Sequence, residues 1–402
     1  MGKTLKVTIS LLFIFLIGIT TVTFAETDKK VTDHAIKVSE LKQPELPERM
    51  ERFIFQSGYH FEYPDAVRGI YVTGHSAGGQ RFESLIDLID TSDLNSMVID
   101  IKDDFGYLTY IPDNEESPFL DISKRYIRDP EAMMKRLEEH EIYPIARIVV
   151  FKDSVLAEKR PDLSFTQDGE VWKNRRGEAF VNPFLKEVWE YNVAIAEKAA
   201  QMGFKEIQFD YVRFPEGFER RDEILTYSVG EYTDGDDNVQ KRVDAVTDFV
   251  AYAREQLQPY DVDVSVDIFG YAATISEAPG IGQNFSRISE NVDVISSMIY
   301  PSHWTSYFGI AKPDLHPYEL VDAYAQVENE LLAKLENQPV SRPWLQDFTA
   351  SYLGAGNYRV YGKEEVEAQI KALYKNGIYE FLLWNAGNRY TPNVDYKIGL
   401  DD

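Results

Sequence analysis

The 402-residue chain contains no cysteine. That excludes disulfides, thiolate metal sites, thiol catalysis and a lipid carried on an N-terminal cysteine. Histidine is scarce as well. The six present are scattered, with no H-E-x-x-H and no paired spacing, so no imidazole-bound metal is indicated. Asp234 to Asn238 form an acidic run, but it lacks the glutamate spacing of an EF-hand. Asp237 or Asn238 reads better as the cap of the following helix. A phosphate loop and a dinucleotide fingerprint are both missing, so the expectation is no metal and no cofactor. Positive charge is also short: 42 Lys and Arg stand against 67 Asp and Glu, a net −25. That sign is wrong for gripping nucleic-acid phosphates, and it disfavours polyanionic polysaccharides.

Long apolar runs are missing too, apart from residues 5–24, which follow Lys3 and Lys6. With small residues at Thr23 and Ala25, residues 1–25 read as a signal peptide cut after Ala25. Losing those two lysines takes the net charge from −25 to −27. The protein is therefore expected to be secreted or held at the cell surface, with no stable membrane span once the leader is removed. An uncleaved N-terminal anchor is the alternative, since the run is long enough to cross a bilayer. Residues 26–64 are polar and broken by Pro44 and Pro47. They read as a linker with one short helix near 47–55, leaving 65–402 as the main domain.

What the chain does have is rhythm. Period-two apolar runs predict strands over 66–74, 96–106, 143–152, 205–214, 262–271, 292–300, 340–348 and 379–385. Helical patterns over 80–89, 130–141, 183–202, 239–257, 317–335 and 363–376 fall between them. Eight strands in such alternation predict a (β/α)8 TIM barrel. The last helix must be short, or be supplied by the tail or by the segment before the first strand. Long βα loops follow strands 2, 3 and 4, and loops of that kind build the reaction face of a barrel. Their aromatics, Tyr107, Phe119, Phe165, Trp172, Phe218, Tyr227 and Tyr232, are expected to wall one side of a cleft.

Acids recur where these strands end. Asp210 closes Ile207-Gln208-Phe209-Asp210 opposite the apolar face, just before Tyr211-Val212-Arg213-Phe214-Pro215. In 262–270 the valines alternate with Asp263, Ser265 and Asp267, which should turn Asp267 inward near the C-terminal rim. Asp347 ends the seventh strand, and Asp100 shares a face with Lys102 on the second. A buried carboxylate must be paired, hydrogen-bonded or protonated. One such acid is often structural, but four converging on one rim suggest chemistry.

FDYVRFP at 209–215, with VIDIKDDFG at 98–106, resembles a glycoside hydrolase family of bacterial (β/α)8 barrels formerly classed as a domain of unknown function. The likeness runs from about residue 68 to 389. It implies cleavage of an oligo- or polysaccharide, and it supports Asp210 as the catalytic carboxylate more firmly than Asp267. Glycoside hydrolysis needs one protonated and one ionised carboxyl, which crowded like charges supply. Asp210 is expected as nucleophile or charge stabiliser and Asp267 as general acid/base in a retaining mechanism, with Asp347 the rival acid. Asp100, Lys102, Arg147, Arg213, Tyr300, His303, Gln346 and Asn385 fit a sugar-binding shell, with Trp304 and Trp384 to stack on pyranose faces.

Two other readings stand beside this one. A barrel could bind envelope carbohydrate without turnover. Alternatively, Gly74-His75-Ser76-Ala77-Gly78 matches a G-x-S-x-G nucleophile elbow, making Ser76 an esterase nucleophile with Asp293 and His303 as partners. Little chain precedes the first strand to supply an oxyanion loop, so the elbow is better read as a βα turn in which Thr73 or Ser76 caps the next helix or contacts ligand.

Overall fold

The computed structural model describes residues 54–400; the predicted leader and nearly all of the helix expected near 47–55 lie outside them. Eight parallel strands form one sheet: β1 Arg68–Val72, β2 Ser96–Lys102, β3 Tyr143–Val149, β4 Glu206–Asp210, β5 Asp263–Phe269, β6 Val294–Met298, β7 and β8 Phe381–Trp384. β7 is interrupted, running as Val340–Ser341 and then Trp344–Gln346, because Pro343 has no N–H to donate. Each strand pairs with its sequence neighbours, and β8 pairs with β1, Arg68 lying opposite Phe381. The sheet therefore closes into the expected (β/α)8 barrel.

Outside the barrel run α1 Arg81–Asp90, α2 Pro130–Glu139, α3 Lys186–Met202, α4 Asn238–Leu257, α5 Phe285–Ser289, α6 Pro317–Leu332 and α7 Lys363–Lys375. Among the described residues no helix follows β8. The tail takes its place, with the Tyr396 ring against Phe381 and the Tyr374 hydroxyl donating to the Tyr396 carbonyl at 2.6 Å. No helix of the described residues is long and apolar enough to cross a membrane.

Alternation along the strands makes two cores. Ile207, Phe209, Val264, Val266 and Ile268 face the helices, while Tyr71, Val98, Ile145, Trp344 and Leu382 fill the barrel. Near the N-terminal end of the barrel, Arg342 bonds Glu206 at 2.7 and 2.8 Å and Glu380 at 2.8 Å. The Tyr63 hydroxyl joins them by donating to Glu380 at 2.8 Å and accepting from Arg342 at 2.9 Å. A fully buried charge survives only with such partners. This end is plugged, so access is left to the C-terminal rim.

Candidate active site

Strand β4 ends abruptly at Asp210 because Tyr211 takes φ 53°, a left-handed conformation uncommon for a bulky residue. The turn holds the Asp210 carboxylate at the rim, where Tyr211 N–H donates to Oδ1 at 2.6 Å. Arg147, on β3, donates to Oδ2 through Nε at 3.0 Å and through its terminal nitrogen at 2.5 Å. Its other terminal nitrogen reaches Asp100 on β2 at 2.6 Å, and the Tyr71 hydroxyl donates to the second Asp100 oxygen at 2.5 Å. Arg147 thus bridges two buried acids, and it lies 3.5 Å from a third, Asp104. In the parallel register Phe209 faces Val266, so Asp210 and Asp267 are the next residues on neighbouring strands. Asp267 Oδ1 accepts from the Trp344 indole at 2.7 Å.

Burial pushes the Asp267 carboxyl well above the usual range, and the neighbouring Asp210 charge raises it further. Asp267 is therefore pushed toward its protonated form. Burial also lifts Asp100, to about 6, against the pull of Arg147. Asp104 is the opposite case: burial would raise it, but Arg147 and Lys152 outweigh burial and hold it at about 2. His303 is pushed down, chiefly by burial.

These groups open into a cavity of about 530 Å³ whose lining includes Asp210, Asp267, Arg147, Arg213, Tyr300, His303, Trp304 and Trp384. Trp384 stacks on Tyr71 at 4.1 Å, and Arg213 lies over Phe269 at 4.5 Å and Tyr211 at 4.6 Å. Gly270 lets Trp304 come close, since a Cβ there would stand 2.9 Å from the indole and 2.8 Å from the Met298 carbonyl. Asp100 sits beside the cavity, behind Arg147.

Four candidates lie elsewhere. Lys102 does not share a face with Asp100. A β-bulge sets Asp100 opposite Arg147 but Lys102 opposite Ile148, which reverses the alternation. Its ammonium is buried 2.6 Å from Asp153 and donates to Asn192 at 2.9 Å, away from the cavity. Asp347 also misses the cavity lining, because Thr391 takes both of its oxygens, N–H at 2.9 Å and Oγ at 2.5 Å. Gln346 joins loops by donating to Asp314 at 2.9 Å and accepting from Ser302 N–H at 3.0 Å. Asn385 donates to the Asp347 and Arg389 carbonyls at 2.6 and 2.8 Å, shaping the turn after β8.

Of the loop aromatics, Trp172 lines a hollow beside the cavity, but others are placed differently from expectation. Phe165, Phe218 and Tyr227 pack with Phe184 and Phe214 as a small core of their own, the centroids of Phe165 and Phe218 4.8 Å apart. The cavity's aromatics come instead from Tyr211, from the end of β5 and the chain after β5 and β6, including Tyr271 and Tyr307, and from Trp344 on β7 and Trp384 on β8. Asp104, Arg176 and Glu216 line it too and were missed, because loops carry no periodicity. The doublet Arg175-Arg176 in so acidic a chain was the available signal.

Ser76 sits in the one-turn helix Gly74–Ala77, where Thr73 Oγ accepts from Ser76 N–H at 3.1 Å as the cap. Its supposed partners are dispersed. Asp293 lies just before β6, at the N-terminal end of the barrel, and accepts from Arg254 at 2.6 Å, whereas His303 is at the opposite rim. Asp237 caps α4, accepting from Val239 and Gln240 N–H at 3.0 and 3.1 Å. Among the described residues no cluster of His, Asp and Glu could hold a metal.

A closed (β/α)8 barrel with two carboxyls and a guanidinium at its open rim defines the class of protein. Residues 69–390 match the family described as "Putative glycosyl hydrolase domain", and the chain belongs to that family. Its barrel is similar to the PgaB (BpsB) glycoside hydrolase domain from Bordetella bronchiseptica, at 17% identity and TM-score 0.54, over 80% of this chain and 94% of that one. It is also similar to a hypothetical protein from Ruminiclostridium thermocellum ATCC 27405, at 32% identity and TM-score 0.42, over 49% of this chain and 96% of that one. None of the curated proteins matches.

Proposed function

We propose that the protein is a retaining glycoside hydrolase acting on an oligo- or polysaccharide outside the cytoplasm. The supporting observation is the unequal pair on neighbouring strands: Asp210 accepts three hydrogen bonds, two of them from Arg147, while Asp267 is pushed toward its protonated form. Asp267 gives its proton to the glycosidic oxygen as the bond breaks, and Asp210 attacks the anomeric carbon to form a glycosyl ester. Asp267, now ionised, takes a proton from water, which attacks the same carbon and frees Asp210. Neighbouring parallel strands are about 4.8 Å apart, in keeping with the roughly 5–5.5 Å carboxyl separation of retaining enzymes. Trp304 and Trp384 supply apolar faces for sugar rings.

Product analysis on a panel of cell-wall and plant polysaccharides tests the activity, and NMR of the first-formed anomer tests retention. Asp267→Asn should cost about 10²- to 10⁴-fold on substrates with poor leaving groups and much less on activated aryl glycosides. Equal losses on both would remove the acid role from Asp267. Binding without any released sugar would make the protein a carbohydrate-binding barrel instead.

A further inference from the structure

The chain carries net −25, yet one flank of the cleft mouth is basic. A second hollow of about 260 Å³ opens there, and it shares Arg176, Tyr211, Arg213 and Glu216 with the central cavity. Four arginines line it, Arg175, Arg176, Arg213 and Arg221, against two carboxylates, Glu178 and Glu216. Glu178 is already answered by Asn174 at 2.6 Å and by Lys152 at 3.6 Å. Glu216 lies 3.4 Å from Arg213. Among the described residues, Arg175, Arg176 and Arg221 have no carboxylate within ion-pair distance.

Two of the arginines are also fixed in place. Arg221 lies over the Trp172 ring at 5.3 Å and donates to the Gly217 carbonyl at 3.0 Å, while Arg213 is held between two rings. A guanidinium stacked on an aromatic face keeps its fork of donors and loses little freedom on binding. In a chain this acidic, a run of unanswered arginines raises the local potential where its neighbours lower it. Trp172 adds an apolar wall beside them. That combination suits a sugar ring whose C–H face lies on indole and whose anionic substituent meets guanidinium.

We infer that this hollow is a subsite for an anionic sugar residue, one carrying a carboxylate or a sulfate ester, adjoining the point of cleavage. The inference rests on the glycan reading of the central cavity and names its substrate class. It also reverses the expectation from net charge, which disfavours acidic polysaccharides.

The test is binding by the full chain carrying Asp267→Asn to a glycan array holding uronate-bearing and sulfated oligosaccharides beside their neutral parents. Anionic members should bind more tightly than their parents, and the two arms identify the anion. An exposed arginine–anion pair is worth up to about fivefold in affinity. Adding Arg175→Gln and Arg221→Gln together should therefore weaken anionic members by up to about 25-fold, and neutral parents by much less. Arg175 is exposed, so Arg175→Glu gives a second variant that disturbs no packing, and it should weaken anionic members alone. Equal binding of charged and neutral members, no binding of any anionic member, or indifference to both arginines overturns the subsite. Capture of anionic glycans that the unmutated protein does not cleave would instead sink the hydrolase reading and leave the subsite standing.

Discussion

Arg147→Met tests whether the guanidinium is what makes the acid cluster tolerable. Methionine keeps much of the side chain's apolar bulk and removes the charge, so the effect is electrostatic rather than a cavity. Arg147 is 1% exposed and spans Asp100 and Asp210 with donors at 2.5, 2.6 and 3.0 Å. Breaking a buried pair by removing one partner costs about 3–5 kcal/mol, a large share of the roughly 5–15 kcal/mol that holds a domain folded. The loss should depend on pH. Asp100 stands at about 6 with Arg147 present, and it rises further without the guanidinium. A carboxyl raised in the folded state penalises folding above its folded pKa, and the penalty fades as pH falls toward the unfolded value. Urea unfolding followed by tryptophan fluorescence should show a larger deficit at pH 8 than at pH 5. Adding Asp100→Asn and Asp210→Asn to Arg147→Met should restore part of the loss. A deficit under about 1 kcal/mol, or one equal at both pH values, would refute this account.

The barrel was legible because strand and helix periods differ and alternate along most of the chain. Its ends were not. β4 was predicted through 214 but stops at Asp210, since the apolar pattern of Tyr211 to Phe214 does not betray a residue at positive φ. α5 was missed because Phe285–Ser289 is shorter than two turns, too short to establish a period. The tail was foreseen as one substitute for an eighth helix, and Tyr396 fills that role by packing rather than by helical pattern.

In the site, legibility followed the strands. Asp210, Asp267 and Arg147 could be set inward because an unbroken strand fixes which face each residue takes. One inserted residue in β2 was enough to send Lys102 the other way, and a bulge leaves no compositional mark. Asp347 shows a different limit. Period can set an acid at the rim, but it cannot say that Thr391, 44 residues later, will claim both oxygens. Partners brought together by a loop are a tertiary fact. For the same reason Arg176 and Glu216 escaped notice.

Thr391→Val removes the hydroxyl that donates to Asp347 at 2.5 Å and should cost about 1–3 kcal/mol of stability by thermal unfolding. Turnover of the folded variant should be preserved, and a selective fall in kcat would return Asp347 to the reaction. Trp344→Phe addresses Asp267 directly. The indole N–H at 2.7 Å is the hydrogen bond that lowers the Asp267 pKa, set against burial and Asp210, which raise it. An acid that must start protonated loses activity as pH rises through its pKa, so this group sets the alkaline limb of kcat/KM. Losing a hydrogen bond to the charged form is worth about 1.5–3 kcal/mol, or roughly one to two pH units. The limb should therefore move to higher pH, whatever the substitution does to substrate affinity. Circular dichroism would establish that the variant is folded before its profile is read. A limb that stays in place, or one that moves down, would mean that Asp267 is not the proton donor.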